Sequence, residues 1–299
     1  MREIVSLTYQ GQVLWGTRHL TEGPPRDIGV LLFNGGQVPR GGHSGMSARA
    51  ADRLARAGVP VFRVDLPGLG DSFGAVPVKT SVFWRSVEEG HHVSAAIAVA
   101  EHIKERYGID RLIAGGLCGA AVNAIYLADR RPALLDGLLL LEPEFFLTPV
   151  PGEEPVAPAN ARSVLQKLLS RRTWLRLFSG ESRYGRRLSF ARRIMLRLLV
   201  RRTTLPENVN LPLALSWARV VARGVPCLVM TAEGRIREAY TEQVKRVVLD
   251  RHTMAHVRHV SLSDTNHIFT SGGAIERCAA EMTRWIEETF AKDRRRRAA

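Results

Sequence analysis

The sequence is poor in cysteine and contains no long apolar run. Its three cysteines, Cys118, Cys227 and Cys278, lie far apart and are odd in number, so neither a disulfide framework nor a metal site is expected. No stretch approaches the roughly 18 to 20 apolar residues of a membrane span. The first ten residues lack the apolar core of a secretory signal. These absences favour a protein of the reducing cytoplasm that needs no cofactor.

Acidic residues are scarce relative to basic ones. The chain has 43 lysines and arginines against 29 aspartates and glutamates, a formal net charge of +14. Residues 161–202 hold thirteen of these bases and one acid, Glu181, and Arg294 to Arg297 form a basic run near the end. Such a run is usually a solvated helical face. It would also attract CoA phosphates or an acidic acyl carrier protein, or an anionic membrane surface. No nucleic-acid motif is present, so no nucleic acid is expected as a partner.

Strand and helix patterns alternate along most of the chain, with short connections between them. A leading hairpin is predicted around Gln10 and Gly11, and one long helix over 81–107. Short apolar runs typical of buried strands end at Phe33, Val64, Gly115, Leu141, Met230 and Leu262. This alternation predicts an α/β fold with a mostly parallel sheet and helices on both faces.

The alternation stops after residue 148. Four prolines lie between Thr148 and Pro158, and basic amphipathic segments follow. We expect a basic helical lid over 149–215, inserted before the last two strands. The core would then comprise 1–148 and 216–291, and a disordered basic tail would cover 292–299.

Cys118 lies in a strand–turn–helix pattern. Gly116 and Ala120, two residues before and two after it, are small, as in the nucleophile elbow G-x-S-x-G, because larger side chains would clash there. Cysteine replaces the serine, and alanine replaces the last glycine. A thiol at a helix N-terminus with a histidine nearby is expected to have a lowered pKa. We therefore predict that Cys118 is a nucleophile rather than a small buried apolar residue.

Four motifs in a fixed order make the chain resemble the α/β-hydrolase superfamily. Each follows a predicted strand: Asn34-Gly35-Gly36, Asp65-Leu-Pro-Gly-Leu-Gly-Asp-Ser72, Cys118 and His267. The resemblance implies that His267 is the general base and then the acid for the leaving group. Asp65 and Asp71 are better explained as turn residues than as catalytic ones.

The resemblance also implies an oxyanion hole made of backbone N–H groups. One belongs to Gly119, directly after the nucleophile, and the other to Gly36 or Gln37 in the loop after the first parallel strand. His43, in the same loop, and Leu117 are expected to line the substrate site.

The acid that orients His267 is less clearly marked. The superfamily most often places it after the penultimate strand, where this chain has Arg235 instead of the usual aspartate. Glu233, two residues earlier, is the first choice. Glu142, at the end of the strand before the lid, is the alternative, and Glu238 is a third option.

A closer resemblance is to the cysteine-elbow hydrolases associated with bacterial exosortase systems. It is carried by Gly-Leu-Cys-Gly-Ala-Ala ending at Ala121, by the glycine-rich loop 35–43 and by the turn Asp71-Ser72. Polyhydroxyalkanoate synthases and dienelactone hydrolases also have a cysteine elbow, but the former need a longer chain and the latter lack a large lid at this position.

The resemblance implies hydrolysis of an ester or thioester through an acyl-enzyme on Cys118. Two alternatives stay open. An acyltransferase or cyclase would use the same intermediate, with a donor bound to CoA or a carrier protein. A hydrolase-fold protein without catalysis would use the site only for binding. A cytoplasmic location is expected, with peripheral contact at the inner membrane surface as a variant of it.

Overall fold

The computed structural model describes residues 1–152, 205 and 208–297, with side chains as far as residue 290. Most of the predicted basic lid, 149–215, lies outside these residues, including the basic segment 161–202. The lid and its expected ligands therefore stay predictions. None of the helices in the described ranges is long and apolar enough to cross a membrane.

A central sheet of eight strands organises the described part of the chain. The sheet order is β1-β2-β4-β3-β5-β6-β7-β8. Strand β2 is antiparallel to both β1 and β4, and all pairs from β4 to β8 are parallel. The strands are β1 Arg2–Tyr9, β2 Gln12–His19, β3 Ile28–Leu32, β4 Val61–Val64, β5 Arg111–Leu117, β6 Gly137–Leu141, β7 Cys227–Ala232 and β8 Val257–Leu262. The predicted fold class and the leading hairpin are confirmed.

Helices cover both faces of this sheet. They are α1 Met46–Arg56, α2 Thr80–Glu88, α3 Val93–Tyr107, α4 Gly119–Arg130, α5 Leu211–Ala222, α6 Ile236–Val248, α7 Arg251–Met254 and α8 Ala274–Arg297. Helices α1 and α8 pack on one face, where Met46 and Met282 belong to one apolar cluster. Helices α2 to α6 pack on the other, where Phe83, Trp217 and Val244 belong to a second. Strands β3, β5, β6 and β7 are buried along their whole length, which explains their continuous apolar sequences.

Three boundaries differ from the sequence prediction. The helix expected over 81–107 is two helices, because Gly90 adopts a left-handed conformation with φ +84° and ends α2 before α3 begins. Helix α5 begins at Leu211, so the core resumes before residue 216. Helix α8 continues to Arg297, through residues assigned above to a disordered tail.

The chain leaves the core after β6 and returns to it at almost the same point. Phe146 and Val209 form an antiparallel bridge between the two ends of this excursion. The buried Glu88 contacts both ends: its carboxylate accepts from the Thr148 backbone N–H at 2.7 Å, and its carbonyl accepts from Asn210 Nδ2 at 2.7 Å. We call residues 145–148 and 208–210 the stem. Burial raises the pKa of Glu88 to about 7, although Thr148 opposes the shift.

Candidate active site

Cys118 occupies a strained turn between β5 and α4. It is the N-cap of α4, with φ 55° and ψ −111°, a region that residues other than glycine rarely adopt. Gly116 has φ +132°, and a Cβ added to it would lie 2.8 Å from the Cβ of Ala120. The small residues on either side of Cys118 therefore approach each other closely, as the elbow pattern predicts.

The Cys118 side chain contacts a buried ion pair. Its Sγ donates to Glu144 Oε2 at 2.9 Å. Arg237 reaches both partners, with Nη2 at 3.0 Å from Glu144 Oε1 and Nη1 at 3.7 Å from Sγ. Sequence reasoning missed Glu144 and Arg237. The position of Glu144 in the sequence could have indicated it, because Glu144 follows β6 at the carboxyl edge of the sheet, where the residues of such sites lie.

The thiol of Cys118 is harder to ionise than expected. Burial, and after it the negative charge of Glu144, raise the pKa of Cys118 well above its usual value, and Arg237 acts in the opposite direction without compensating. The predicted lowering of this pKa by the helix N-terminus and a histidine is therefore wrong for this arrangement. Only 3% of Cys118 is exposed, so loss of hydration is the largest cause of the raised pKa.

His267 pairs with Glu142. Its Nδ1 lies 3.0 Å from Glu142 Oε2, and Glu142 is fully buried while His267 is 37% exposed at its side chain. The other oxygen of Glu142 accepts from the backbone N–H of Ala232, at the end of β7. A carboxylate fixed in this way orients the imidazole and directs Nε2 towards proton transfer.

Glu233, the first choice for this acid, is not the residue that contacts His267. It is exposed, and its backbone N–H donates to Leu262 at 2.9 Å. The end of β7, where the acid was expected, instead supplies the backbone N–H of Ala232, which donates to Glu142. Glu238, the third option, accepts from the backbone N–H of Gly234 at 2.7 Å.

The two glutamates after β6 thus divide the site into two pairs, Glu142 with His267 and Glu144 with Arg237. Within the described ranges, no hydrogen bond joins His267 to Cys118. The thiol is bound to the second pair, although the predicted base belongs to the first.

In the predicted oxyanion hole, the backbones of Gly119 and Gly36 lie close to each other. A Cβ added to Gly119 would lie 3.6 Å from the backbone N of Gly36, and 3.4 Å from the ring of Trp84. A Cβ on Gly36 would lie 2.3 Å from the same ring. This geometry favours Gly36 over the exposed Gln37 as the second donor. Trp84 covers both glycines, a contact that the sequence did not indicate.

The loop that carries Gly36 is held by the turn after β4. The buried carboxylate of Asp65 accepts from Asn34 Nδ2 at 2.7 Å and from the Arg40 backbone N–H at 2.6 Å. Asn34 Oδ1 in return accepts from the Leu66 N–H at 2.8 Å. These contacts agree with the prediction that Asp65 is a turn residue and not a catalytic one.

The two residues expected to line the substrate site differ in their surroundings. His43 is partly buried. Burial is the main cause that lowers the pKa of His43, and the positive charge of the nearby His267 lowers it further. Leu117 is only 4% exposed and belongs to the apolar cluster beneath α1 and α8. His43 thus lies beside the predicted base, whereas Leu117 is packed in the core next to Cys118, and the lining role of both stays a prediction.

Many solved structures share this fold. Est1E from Butyrivibrio proteoclasticus with bound ferulic acid has a TM-score of 0.58 at 13% identity, over 96% of this chain and 99% of that one. A dienelactone hydrolase from Anabaena variabilis has a TM-score of 0.57 at 13% identity, over 96% and 97%. The thioesterase domain from the curacin biosynthetic pathway has 0.53 at 18% identity, over 97% and 100%. At these identities the likeness shows the fold. None of the curated proteins compared with the chain matches it.

A family profile described as serine aminopeptidase, S33, matches residues 27–204, more than half of the chain. The matched stretch includes the loop of Gly36, the elbow at Cys118 and both glutamates after β6. The family is named for a serine enzyme, whereas the elbow residue here is a cysteine. With its eight-stranded sheet and this match, the chain belongs to the serine aminopeptidase S33 family of α/β hydrolases.

Proposed function

We propose that the protein hydrolyses an ester or a thioester through an acyl-enzyme on Cys118, with His267 as base and Glu142 as the acid that orients it. One observation carries the proposal: Cys118 is held in the strained elbow conformation at the N-terminus of α4. Its backbone N–H donates to the carbonyl of Leu141 at 2.8 Å, and the next residue, Glu142, pairs with His267. An elbow places its nucleophile at the tip of the turn beside an oxyanion hole.

The chemistry has two halves. His267 takes the proton of the Cys118 thiol, the sulfur bonds to the carbonyl carbon, and the N–H groups of Gly119 and Gly36 stabilise the oxyanion. The bond to the leaving group then breaks, the leaving group takes that proton from His267, and a thioester remains on Cys118. His267, oriented by Glu142, then removes a proton from water, which attacks the thioester and releases the acid.

Cysteine as the nucleophile favours activated acyl donors. A thiolate attacks thioesters and activated esters readily, and it is itself a good leaving group in the second half of the reaction. Two structural relatives, a thioesterase domain and Est1E with bound ferulic acid, are compatible with this class of substrate.

The finer resemblance to exosortase-associated hydrolases rests on the Gly-Leu-Cys-Gly-Ala-Ala elbow and forms part of the proposal. The proposal also includes a ligand for the basic residues 161–202, which is CoA, an acyl carrier protein or an anionic membrane. It includes a cytoplasmic location as well. An acyltransferase would use the same residues, with an alcohol or amine in place of water.

Turnover of acyl-CoA and p-nitrophenyl ester panels tests the proposal. We expect Cys118→Ala and His267→Ala to lose turnover, and the acyl group to be found on the Cys118 peptide by mass spectrometry. Cys278→Ala is the matched control, because Cys278 is equally buried and distant in sequence from the elbow. Full turnover by Cys118→Ala would refute the mechanism. Added alcohols or amines that appear in the product would identify a transferase.

A further inference from the structure

A second group of hydrogen-bonded side chains joins the last two strands to α6. Its members are Glu242 of α6, Thr231 of β7, and His259 and Ser261 of β8. The strand register places Thr231 directly beside Ser261, and His259 lies two residues earlier on the same face of β8. We call these four side chains the relay. The mechanism proposed at Cys118 does not involve them.

The relay is one continuous series of contacts. Glu242 Oε1 lies 2.5 Å from His259 Nδ1, and His259 Nε2 lies 2.8 Å from Thr231 Oγ1. Thr231 Oγ1 in turn lies 3.3 Å from Ser261 Oγ. A carboxylate, an imidazole and a hydroxyl in this order are the groups of a hydrolase triad, and the relay adds one further hydroxyl at its end.

The directions of the hydrogen bonds in the relay follow from the carboxylate. An ionised carboxylate only accepts hydrogen bonds, so Nδ1 of His259 carries a hydrogen and donates to Glu242. The Nε2 atom of a neutral imidazole is an acceptor, so Thr231 donates its hydroxyl proton to it. The oxygen of Thr231 is then left to accept from Ser261. Every hydrogen therefore points from Ser261 towards Glu242, which is the direction in which a nucleophilic hydroxyl loses its proton.

Glu242 is kept ionised by its neighbours. Burial opposes the ionised form, but the hydrogen bonds from Lys245 and His259 outweigh burial and lower the pKa of Glu242. Arg246, 3.9 Å from Glu242 Oε2, adds a second cation on the same helix. A carboxylate that stays charged stabilises the imidazolium that forms when His259 takes a proton.

The relay is buried in the middle and open at one end. Thr231 is fully buried, and the side chain of His259 is 11% exposed. Ser261 is exposed, and its strand β8 is the last in sheet order among the described residues. A dissolved reactant therefore meets the Ser261 hydroxyl at the protein surface, and no internal cavity is needed.

We propose that Ser261 is a second nucleophile, activated by the relay, and that it accepts an acyl group from an activated ester or thioester. An ordinary serine hydroxyl is a weak nucleophile, and a base that removes its proton as the new bond forms raises the rate. This inference is independent of the mechanism at Cys118, because the two sites share no residue.

The acylation step balances within these groups. Ser261 Oγ forms a bond to the carbonyl carbon while its proton passes to Thr231 Oγ1, and the proton of Thr231 passes to His259 Nε2. The bond from the carbonyl carbon to the leaving group breaks, and the leaving group departs with the electron pair of that bond. His259 then releases one proton to water. Because the relay supplies a base and no acid at the leaving group, the donor must have a good leaving group.

Acetylation by p-nitrophenyl acetate tests the inference. The protein carries Cys118→Ala, so that the elbow does not consume the donor, and it is treated at pH 8, where an ordinary imidazole is neutral. Ser6 is the matched reference, because it is exposed on β1, the strand at the other edge of the sheet. We expect Ser261 to be acetylated at least about 10²-fold faster than Ser6, the lower end of general base catalysis. Peptide mass spectrometry measures both rates; equal rates, or acetylation of Lys245 in place of Ser261, would overturn the inference.

Variants distinguish a proton relay from a structural contact. Thr231→Ser keeps the hydroxyl and should keep most of the preference for Ser261, whereas Thr231→Val keeps the shape and should abolish it. His259→Gly should abolish the preference too, and added imidazole should restore it, because it supplies the missing base. Urea denaturation checks that each variant is folded. A folded His259→Gly protein whose ratio of Ser261 to Ser6 acetylation is not raised by imidazole would contradict the relay.

The outcomes separate this inference from the proposed function. If an acyl group forms on Cys118 in the wild type while Ser261 reacts no faster than Ser6, the proposed function stands and the relay is wrong. If Cys118→Ala keeps full ester turnover and the further change Ser261→Ala removes it, the proposed function fails and the relay is the active site.

Discussion

Glu142 and Glu144 leave the same strand end two residues apart, and each holds a different partner. Glu142 Oε2 lies 3.0 Å from the imidazole of His267, and Glu144 Oε2 lies 2.9 Å from the thiol of Cys118. One short segment after β6 therefore supplies a carboxylate to the base and another to the nucleophile. The predictions below follow from this arrangement and from the stem beside it.

Replacing Glu142 is expected to impair catalysis far more than replacing Glu233. Glu142→Gln keeps the shape but removes the charge that orients His267, and kcat for a p-nitrophenyl ester should fall by on the order of 10²-fold, the usual contribution of general acid–base catalysis. Glu233→Gln, on an exposed side chain, should change kcat less than about twofold. A larger loss of kcat in Glu233→Gln than in Glu142→Gln would mean that the acid is Glu233, after β7.

Cys118 should react slowly with iodoacetamide at neutral pH. Burial and Glu144 raise its pKa, so the rate should climb about tenfold for each pH unit until the thiol ionises. Peptide mass spectrometry over a pH series measures this rate separately for each cysteine. A rate that is already maximal at neutral pH would show that the thiol is ionised at rest.

The elbow should be intolerant of a methyl group at Gly116. Gly116→Ala introduces a Cβ 2.8 Å from that of Ala120 as well as an unfavourable φ, so the free energy of unfolding should fall by about 2 to 4 kcal/mol. Gly11→Ala is the matched control, because Gly11 has φ +76° but no atom within 4 Å of an added Cβ. Its loss should be about 1 kcal/mol. Urea denaturation measures both values, and equal losses would mean that the elbow relaxes around the methyl group.

Glu88 should make stability depend on pH. Its pKa is about 7 in the folded protein and about 4.5 unfolded, so the folded state binds the extra proton. The contribution of Glu88 is therefore fully present below about pH 4.5 and is lost as the pH rises through about 7. Glu88→Gln, whose amide can keep contacts to Thr148, should remove this part of the pH dependence. The check is the free energy of unfolding of both proteins between about pH 5 and 9; parallel curves would contradict the assignment.

The order of the site along the chain was predictable because each motif follows a strand. Parallel strands bring their carboxyl ends to one edge, so Gly36, Cys118 and His267 were expected to gather there. The elbow was predictable because close packing of Gly116 and Ala120 demands small residues.

The acid was harder to assign for a physical reason. Glu142 has φ 48°, a rare conformation that directs its side chain towards His267, and nothing in the local sequence marks it. The contact of Cys118 with Glu144 joins the end of β5 to the segment after β6, and Arg237 of α6 contacts the same carboxylate, so it depends on tertiary structure. The break at Gly90 was missed because an isolated glycine inside a helical pattern is often tolerated.

The two ends of the stem are hydrogen-bonded to each other, which bears on how insertions and deletions are tolerated between them. The backbone N–H of Leu147 donates to Asn208 at 2.6 Å, and that of Asn210 donates to Phe145 at 2.7 Å. Because departure and return are adjoining points, the intervening chain can be lengthened, shortened or exchanged without displacing a strand. The scaffold is therefore modular at this point: an insertion or deletion between the two ends of the stem leaves the positions of the elbow and of Glu142 and Glu144 unchanged.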